Sequence, residues 1–444
     1  MMYRVREQSE LKHSGVEWLG NIPSGWEVSR LKYIFKSMIS GGTPNSSNYE
    51  NYTDFEKGIP FITITDMSKS DFIYKTKKSL TSKGIEEKNL TILDEGTLLY
   101  SIFATIGKVS ELKIKAVTNQ ALLGLLLKNE KQKQFSKYYL KFLENYVLST
   151  STSNTQNNIN LDKFKNFPFV ENNEQQKIAN FLDEKSKIFD DALSKKEFLI
   201  KKLEDAKKSL ISEIVTGKLK VVEQNGKLKT VKREKTELET SGIEWLGNVP
   251  KSWQVKKSKY LFKIQKRIAG KLGFNILSIT QTGIKVKDTT TGGGQLSMDY
   301  SKYQIVNIGD FAMNHMDLLT GYVDIAKSKG VTSPDYRVFT LTDKNSVSSY
   351  FLYLFQMGYK NQIFYAFGQG SSQLGRWRLP AEEFKKFYFP SPSKDEQKLI
   401  SNYLDEKLIY FDKTINKTKQ SIIKLKLAKE SLISQAVTGK IEIL

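Results

Sequence analysis

The chain has 444 residues and carries 69 Lys and Arg against 48 Asp and Glu, a net charge of +21. Its 39% hydrophobic and 11% aromatic content excludes a disordered chain, and its length asks for several cores. The absence of cysteine excludes disulfides and thiolate metal sites and suits a reducing compartment. The polar start MMYRVREQSELKHSG has no apolar signal segment, and no run of about 18 apolar residues occurs. A soluble, cytoplasmic chain without a membrane partner is expected. The charge excess favours a polyanion partner, above all nucleic acid, because each phosphate contact releases counterions; a lysine-rich proteome would give the same excess.

In chain order, the first distinctive stretch is SGVEWLGNIPSGWEVSRLKYIFK, from Ser14 to Lys36. Strand-like runs follow at Phe61–Met67, Thr97–Thr105 and Ala121–Lys128, separated by turn signals such as GGTPNSSN. A helix is expected over Phe135–Val147. EQQKIANFLDEK, Glu174 to Lys185, then belongs to a long helix starting near Asn172 or Asn173. Its stripe of Phe189, Leu193, Ile200, Leu203, Leu210 and Ile214 advances in steps of 3 and 4, with Lys196 and Lys207 in the gaps. That spacing marks a coiled-coil seam. Gly217 is a natural stop. The charged stretch Val221 to Thr240 reads as a linker with a short hairpin at Asn225-Gly226.

The chain then begins again. SGIEWLGNVPKSWQVKKSKYLFK, Ser241 to Lys263, returns Trp18, Pro23, Trp26, Tyr33 and Phe35 as Trp245, Pro250, Trp253, Tyr260 and Phe262, each 227 positions later. Unlike text follows, with strand-like runs at Phe274–Thr280, Tyr303–Asn314 and Tyr336–Thr342 and a helix expected over Val347–Met357. EQKLISNYLDEK, Glu396 to Lys407, repeats Glu174 to Lys185 at a shift of 222, and SLISQAVTGK at Ser431 repeats SLISEIVTGK at Ser209. Ser393-Lys394-Asp395-Glu396 reads as a capping box. The stripe returns as Phe411, Ile415, Ile422, Leu425, Leu432 and Ala436, with Thr418 and Lys429 in the gaps and Gly439 as the stop. Each helix would run about 40 residues, roughly 60 Å.

One such helix cannot bury its stripe, but two in the same phase can bury theirs against each other. The expected fold class is α+β: two globular α/β domains separated by a pair of long antiparallel coiled-coil helices, with an internal pseudo-two-fold repeat. The expected partition is 1–170, a first domain; 171–220, a central helical spacer; 221–240, a linker; 241–392, a second domain; and 393–444, a distal helical spacer.

Catalytic tools are missing. Five Gly-Lys pairs occur, but none completes a phosphate-cradling G-x-x-x-x-G-K-[ST] loop, and no G-x-S-x-G elbow or Asp/Asn-Pro-Pro-aromatic motif is present. With two histidines, His13 and His315, and no cysteine, a zinc site is not expected. The two LDEK segments, at Leu182 and Leu404, read as solvated helix faces rather than a nuclease carboxylate–lysine cluster.

The layout resembles the DNA-specificity (S) subunits of Type I restriction-modification systems. The residues that carry it are EWLGNIP and GWE between Glu17 and Glu27, the variable middle, the E-Q-x-x-I-x-x-x-L-D helix opening and the S-L-I-x-x-x-V-T-G-K ending, all repeated. One departure is PFVENNEQQ at Pro168, which lacks the second proline of FPSPSKDEQ at Phe389. The resemblance implies two target recognition domains, each reading half of a bipartite, asymmetric double-stranded DNA sequence, with the helices fixing the gap. It implies a non-catalytic chain serving two methyltransferase (M) subunits and, in the full complex, motor-endonuclease (R) subunits. S-adenosylmethionine, ATP and Mg are then expected on the partners, with no cofactor on this chain. Duplicated flanks around unlike middles suit two readers held alike on duplex DNA.

Base and phosphate contacts call for Lys, Arg, Asn, Gln, Ser, Thr and close backbone approach. In the first domain the candidates are Gly41, Gly42, Thr43 and Asn45; Thr105 and Lys108; Asn119 and Gln120; and Asn154, Gln156 and Asn158. In the second they are Lys266 and Arg267; Asn314 and His315; and, within GQGSSQLGRWR, Ser371, Ser372, Gln373, Arg376 and Arg378. Two competing readings are a coiled-coil adaptor whose modules bind proteins, and a compact nuclease. The first predicts little salt-dependent DNA affinity, and the second metal-dependent cutting by the isolated chain.

Overall fold

The computed structural model describes residues 1–54, 57–67, 70–103, 105–150, 159–287, 300–370 and 377–444. The two striped segments form continuous helices, Gln175–Val215 and Lys394–Val437. Every stripe and gap position in both is buried or half-buried, so the period read from the sequence is the packed seam. Two of the three lysines in the gaps have carboxylate partners on the facing helix. Lys429 Nζ meets Asp190 at 2.7 Å, and Lys207 Nζ meets Asp412 at 2.5 Å. The second pair is the repeat image of the first, and the pairing is antiparallel. No helix among the described residues is long and apolar enough to cross a membrane.

The chain divides into two units, Met1–Lys196 with Gln420–Leu444, and Glu197–Lys419. Both boundaries fall inside the long helices. Unit 1 is built on a five-stranded sheet in the order Phe35–Ser40, Leu122–Leu127, Leu98–Ser101, Val109–Leu112, Phe72–Ile73. A second sheet orders Val117–Thr118, Ile59–Ile62, Lys78–Leu80 and Tyr52–Thr53. Helix Lys133–Thr150 packs Phe135, Tyr139 and Leu143 into the core with Trp26, Phe164 and Phe169, and the long helices add Phe181, Ala436 and Val437. Unit 2 repeats the scheme: Phe262–Gln265, Arg337–Leu341, Phe311–Met313, Val323–Ile325, with helix Ser348–Lys360 against it.

The frame closes in the same way in both units. In unit 1 the second helix ends where Gly439, at φ +70, lies against the opening motif; a Cβ there would stand 2.4 Å from Pro23 and 2.8 Å from Trp26. In unit 2 the first helix ends at Gly217, φ +81, where a Cβ would stand 2.3 Å from Pro250. Each opening motif is thus covered by the helix end of the other copy. Strand Tyr3–Val5 pairs with Ile441–Ile443, and its counterpart is the hairpin Leu219–Gln224 with Lys227–Lys232. Asn225 at φ 54 and Gly226 at φ 67 make the two left-handed positions of that hairpin's turn. Beside these strands Arg6 pairs with Glu174 at 3.0 Å, and Arg233 pairs with Glu396.

Several local expectations change. Phe61–Met67 is not one strand: Ile59–Ile62 is followed by a helical turn, Ile64–Met67, because the Asp66 carboxylate accepts from the Thr63 N–H and hydroxyl at 2.9 and 2.7 Å. The run Thr97–Thr105 stops at Ser101, whose hydroxyl accepts from the Lys108 N–H at 2.8 Å and closes a loop. Tyr303–Asn314 splits into Gln304–Val306 and Phe311–Met313 around Gly309 at φ +87. The capping box at Ser393 is half made. Ser393 Oγ accepts the Glu396 N–H at 3.3 Å, while the Glu396 carboxylate goes to Arg233 and to Trp253 Nε1. The LDEK carboxylates are exposed, as a solvated face requires, but Asp183 accepts from Tyr138 at 2.7 Å and Asp405 from Tyr353, tying each domain helix to a long helix.

Candidate nucleic-acid interface

Strand direction decides where the candidate residues fall. In unit 1, Ser40 pairs with Leu123 and Ser101 with Leu122, so the end of one strand, the start of the next and the end of a third share one edge of the sheet. From that edge leave the loops holding Gly41 to Thr43, Thr105 to Lys108, and Asn119 with Gln120. They are knitted together. The Gly42 N–H donates to Thr118 O at 2.9 Å, the Ile102 N–H to Ala121 O at 2.8 Å, and the Thr43 hydroxyl to the Gln120 side-chain carbonyl. Gly41 has a steric reason: a Cβ would lie 2.1 Å from Thr118 O. Thr43, Gln120 and Thr105 are exposed.

Not every candidate is free to meet a ligand. Lys108 Nζ is held by Glu144 at 2.6 Å, on the wall of a cleft of about 770 Å³ where Lys141 and Lys429 likewise face Asp71 and Asp190. Asn45 is exposed, but its N–H donates to Glu87 at 2.8 Å and its Oδ1 accepts from the Ser47 N–H at 3.0 Å. Asn154, Gln156 and Asn158 lie outside the described residues.

Unit 2 shows the corresponding edge. Gln265 pairs with Val338 and Met313 with Arg337, so Lys266, Asn314 and His315 follow strand ends beside the start of the Arg337 strand. Lys266 is exposed. Arg267 turns to Asp310 in a two-pronged pair at 2.7 and 3.2 Å, which neutralises it. Asn314 caps the next turn, its Oδ1 accepting from the Met316 N–H at 3.2 Å. Arg378 is exposed and joins this edge through its neighbour: the Leu379 N–H donates to His315 O at 2.9 Å. Ser371, Ser372, Gln373 and Arg376 lie outside the described residues.

His315 is the electrostatic oddity. Burial first, then the charges of Arg337 and Arg378, push its imidazole down to about 3, so the ring is neutral at pH 7. Its Nδ1 is buried and has no hydrogen-bond partner among the described residues. Arg337 was not singled out from the sequence. It is 6% exposed, and burial pushes its guanidinium down to about 10. The signal was present as a cation inside the apolar run YRVFTLT. Among the described residues no cluster of His, Cys, Asp or Glu could hold a metal ion.

Comparison with known proteins bears on this geometry. The family model for the Type I restriction modification DNA specificity domain matches twice, over residues 23–202 and 250–427. The matches begin at the equivalent prolines Pro23 and Pro250 and together cover more than half of the chain. The Type I restriction enzyme MjaIX specificity subunit of Methanocaldococcus jannaschii is 29% identical over 203 residues, 44% of this chain and 44% of that protein. The HindI specificity subunit of Haemophilus influenzae is 28% identical over 152 residues, 34% of this chain and 32% of that one. The chain thus spans less than half the length of these two curated relatives. A chain from a solved structure of the type I R-M system superposes with a TM-score of 0.66 at 12% identity, covering 94% of this chain and 99% of that one, which shows a shared fold.

Proposed function

Because the chain belongs to the Type I restriction-modification DNA specificity family, a family of specificity subunits rather than enzymes, we propose that it selects the DNA sequence for partner subunits that carry the chemistry. Each unit reads one half of a bipartite, asymmetric double-stranded target. The paired helices set the gap and scaffold two methyltransferase (M) subunits and, in the full complex, motor-endonuclease (R) subunits. S-adenosylmethionine, ATP and Mg belong on those partners. Of the sequence candidates, the residues at the two sheet edges make the DNA contacts, to bases or to phosphates, and the neutralised Lys108 and Arg267 hold the loops in shape.

One observation supports this most. In each unit, sequence-distant polar stretches converge on the same edge of an equivalent sheet, while the frame is duplicated and the edge residues are not. Two like scaffolds with unlike edges suit a target whose halves differ. The net charge of +21 adds a non-specific attraction to duplex DNA. The test is single-molecule sequencing of adenine methylation in host DNA with and without the gene. A split, asymmetric motif that vanishes on deletion supports the reading. An unchanged methylome, with active methylating partners present, overturns it in favour of a protein–protein adaptor.

A further inference from the structure

Buried cations need carboxylates, because the interior does not solvate a lone charge. Lys137 and Arg233 are 5% and 8% exposed and meet Glu111 and Glu396. Arg337, 6% exposed, has no carboxylate within ion-pair distance among the described residues. Its Nη2 donates to Leu379 O at 2.9 Å, its face lies 5.0 Å from the Phe384 ring, and its Nη1 has no partner among the described residues.

The fold does not demand this charge. Arg337 pairs with Met313 in the strand that follows Gly309; the matching position of unit 1 pairs with Tyr100 in the strand that follows Gly96. Unit 1 places Leu123 there, 0% exposed. Unit 2 therefore carries a cation with no carboxylate partner among the described residues where an aliphatic side chain serves the same sheet.

Two further groups stand beside it. The peptide of Leu379 ties the three residues together: its N–H donates to His315 O, its carbonyl accepts from Arg337, and Arg378 precedes it. Arg378 is exposed, and its backbone exchanges hydrogen bonds of 2.8 and 3.0 Å with Gln369. His315 adds a second buried nitrogen without a partner among the described residues. Among the described residues no carboxylate pairs with either arginine, so the two cations and the polar ring stand together without an acid partner.

We infer that Arg337, His315 and Arg378 form an anion cradle in unit 2 that takes one phosphate of the DNA backbone. Arg378 makes the exposed, charge-assisted contact, and Arg337 supplies an unneutralised charge behind it. The neutral His315 ring offers one N–H. The cradle positions the duplex on this edge, leaving bases to its neighbours. The inference rests on the reading of unit 2 as a DNA-reading domain.

The test measures binding of the full chain to a 30-bp duplex carrying the motif found by methylation sequencing, as a function of salt. Arg378→Ala and Arg337→Met should each lower the steepness of log K against log salt by about one and weaken binding about tenfold. The double variant should also lose about one, not two, because both act on one phosphate. Arg337→Lys, which keeps the charge, should hold the wild-type slope. A single neutral methylphosphonate in the duplex should erase the difference between wild type and Arg378→Ala. Unchanged slopes in folded variants, or additive loss in the double, overturn the cradle. Arg378 is exposed, so its variant decides the matter even if Arg337→Met does not fold. A wild-type chain without salt-dependent DNA binding would instead sink the proposed function itself.

Discussion

Unit 1 and unit 2 share their joints and differ at their edges. In both, an arginine just after a terminal or hairpin strand pairs with the glutamate that opens a long helix, Arg6 with Glu174 and Arg233 with Glu396. In both, a left-handed glycine lets a helix end touch Pro and Trp of the opening motif. At the sheet edge the likeness stops. Unit 1 has Leu123, a Thr43–Gln120 link and a lysine neutralised by Glu144; unit 2 has Arg337, His315 and Arg378. Joints must be alike because they are cut to one shape. Edges are free to differ because sheet order and register do not depend on which polar residues follow a strand end.

The comparison can be broken first at the glycines. Gly439→Ala and Gly217→Ala should each cost about 3 kcal/mol, since both add left-handed strain and a clash with proline. Denaturant unfolding of the full chain should show losses of similar size; a large inequality would mean that the joints are not equivalent. Glu396→Gln and Glu174→Gln come next, at about 2 kcal/mol for a partly exposed partner of a buried arginine. Glu396→Gln should be the costlier, because Trp253 Nε1 also donates to that carboxylate at 2.9 Å.

The edges are sharpened by pH. The unfolded His315 ring takes its proton near 6.5 and the folded ring only near 3, so protons favour the unfolded chain between those values. Stability should therefore fall as pH drops below about 6.5, by about 1–2 kcal/mol at pH 5. His315→Gln should remove that part of the acid sensitivity of unit 2, and melting curves at pH 7 and 5 compare the two. The smallest effect belongs to the helix seam. Lys207→Ala and Lys429→Ala should each cost about 0.5 kcal/mol, because Asp412 and Asp190 are more than half exposed. A loss above about 2 kcal/mol in either would show that the seam depends on its ion pairs rather than on its apolar stripe.

Part of the candidate edge was legible because turn chemistry is local. Gly41 and Gly42, Asn119 and Gln120, and Asn314 and His315 were found from polar residues next to apolar runs, and they do flank strand ends. Charge state was not legible. Lys108 and Arg267 look alike in sequence to any exposed cation, and only the fold brings Glu144 and Asp310 to them. Arg337 was hidden by the opposite error: it sits in a strand read for its apolar residues.

The sequence by itself determined the duplication, the two long helices with their seam, the hairpin at Asn225-Gly226 and the likeness of the family. Each of these is written in spacing, and spacing survives without knowledge of neighbours. The tertiary structure alone decided which helix end covers which opening motif. The two endings, VTGK at Val215 and at Val437, are identical, so no local preference can tell the partner from the self. Antiparallel pairing of the helices resolves it. That pairing sends Gly439 to Pro23 and Gly217 to Pro250, and sheet register then leaves Arg337 buried where unit 1 buries a leucine.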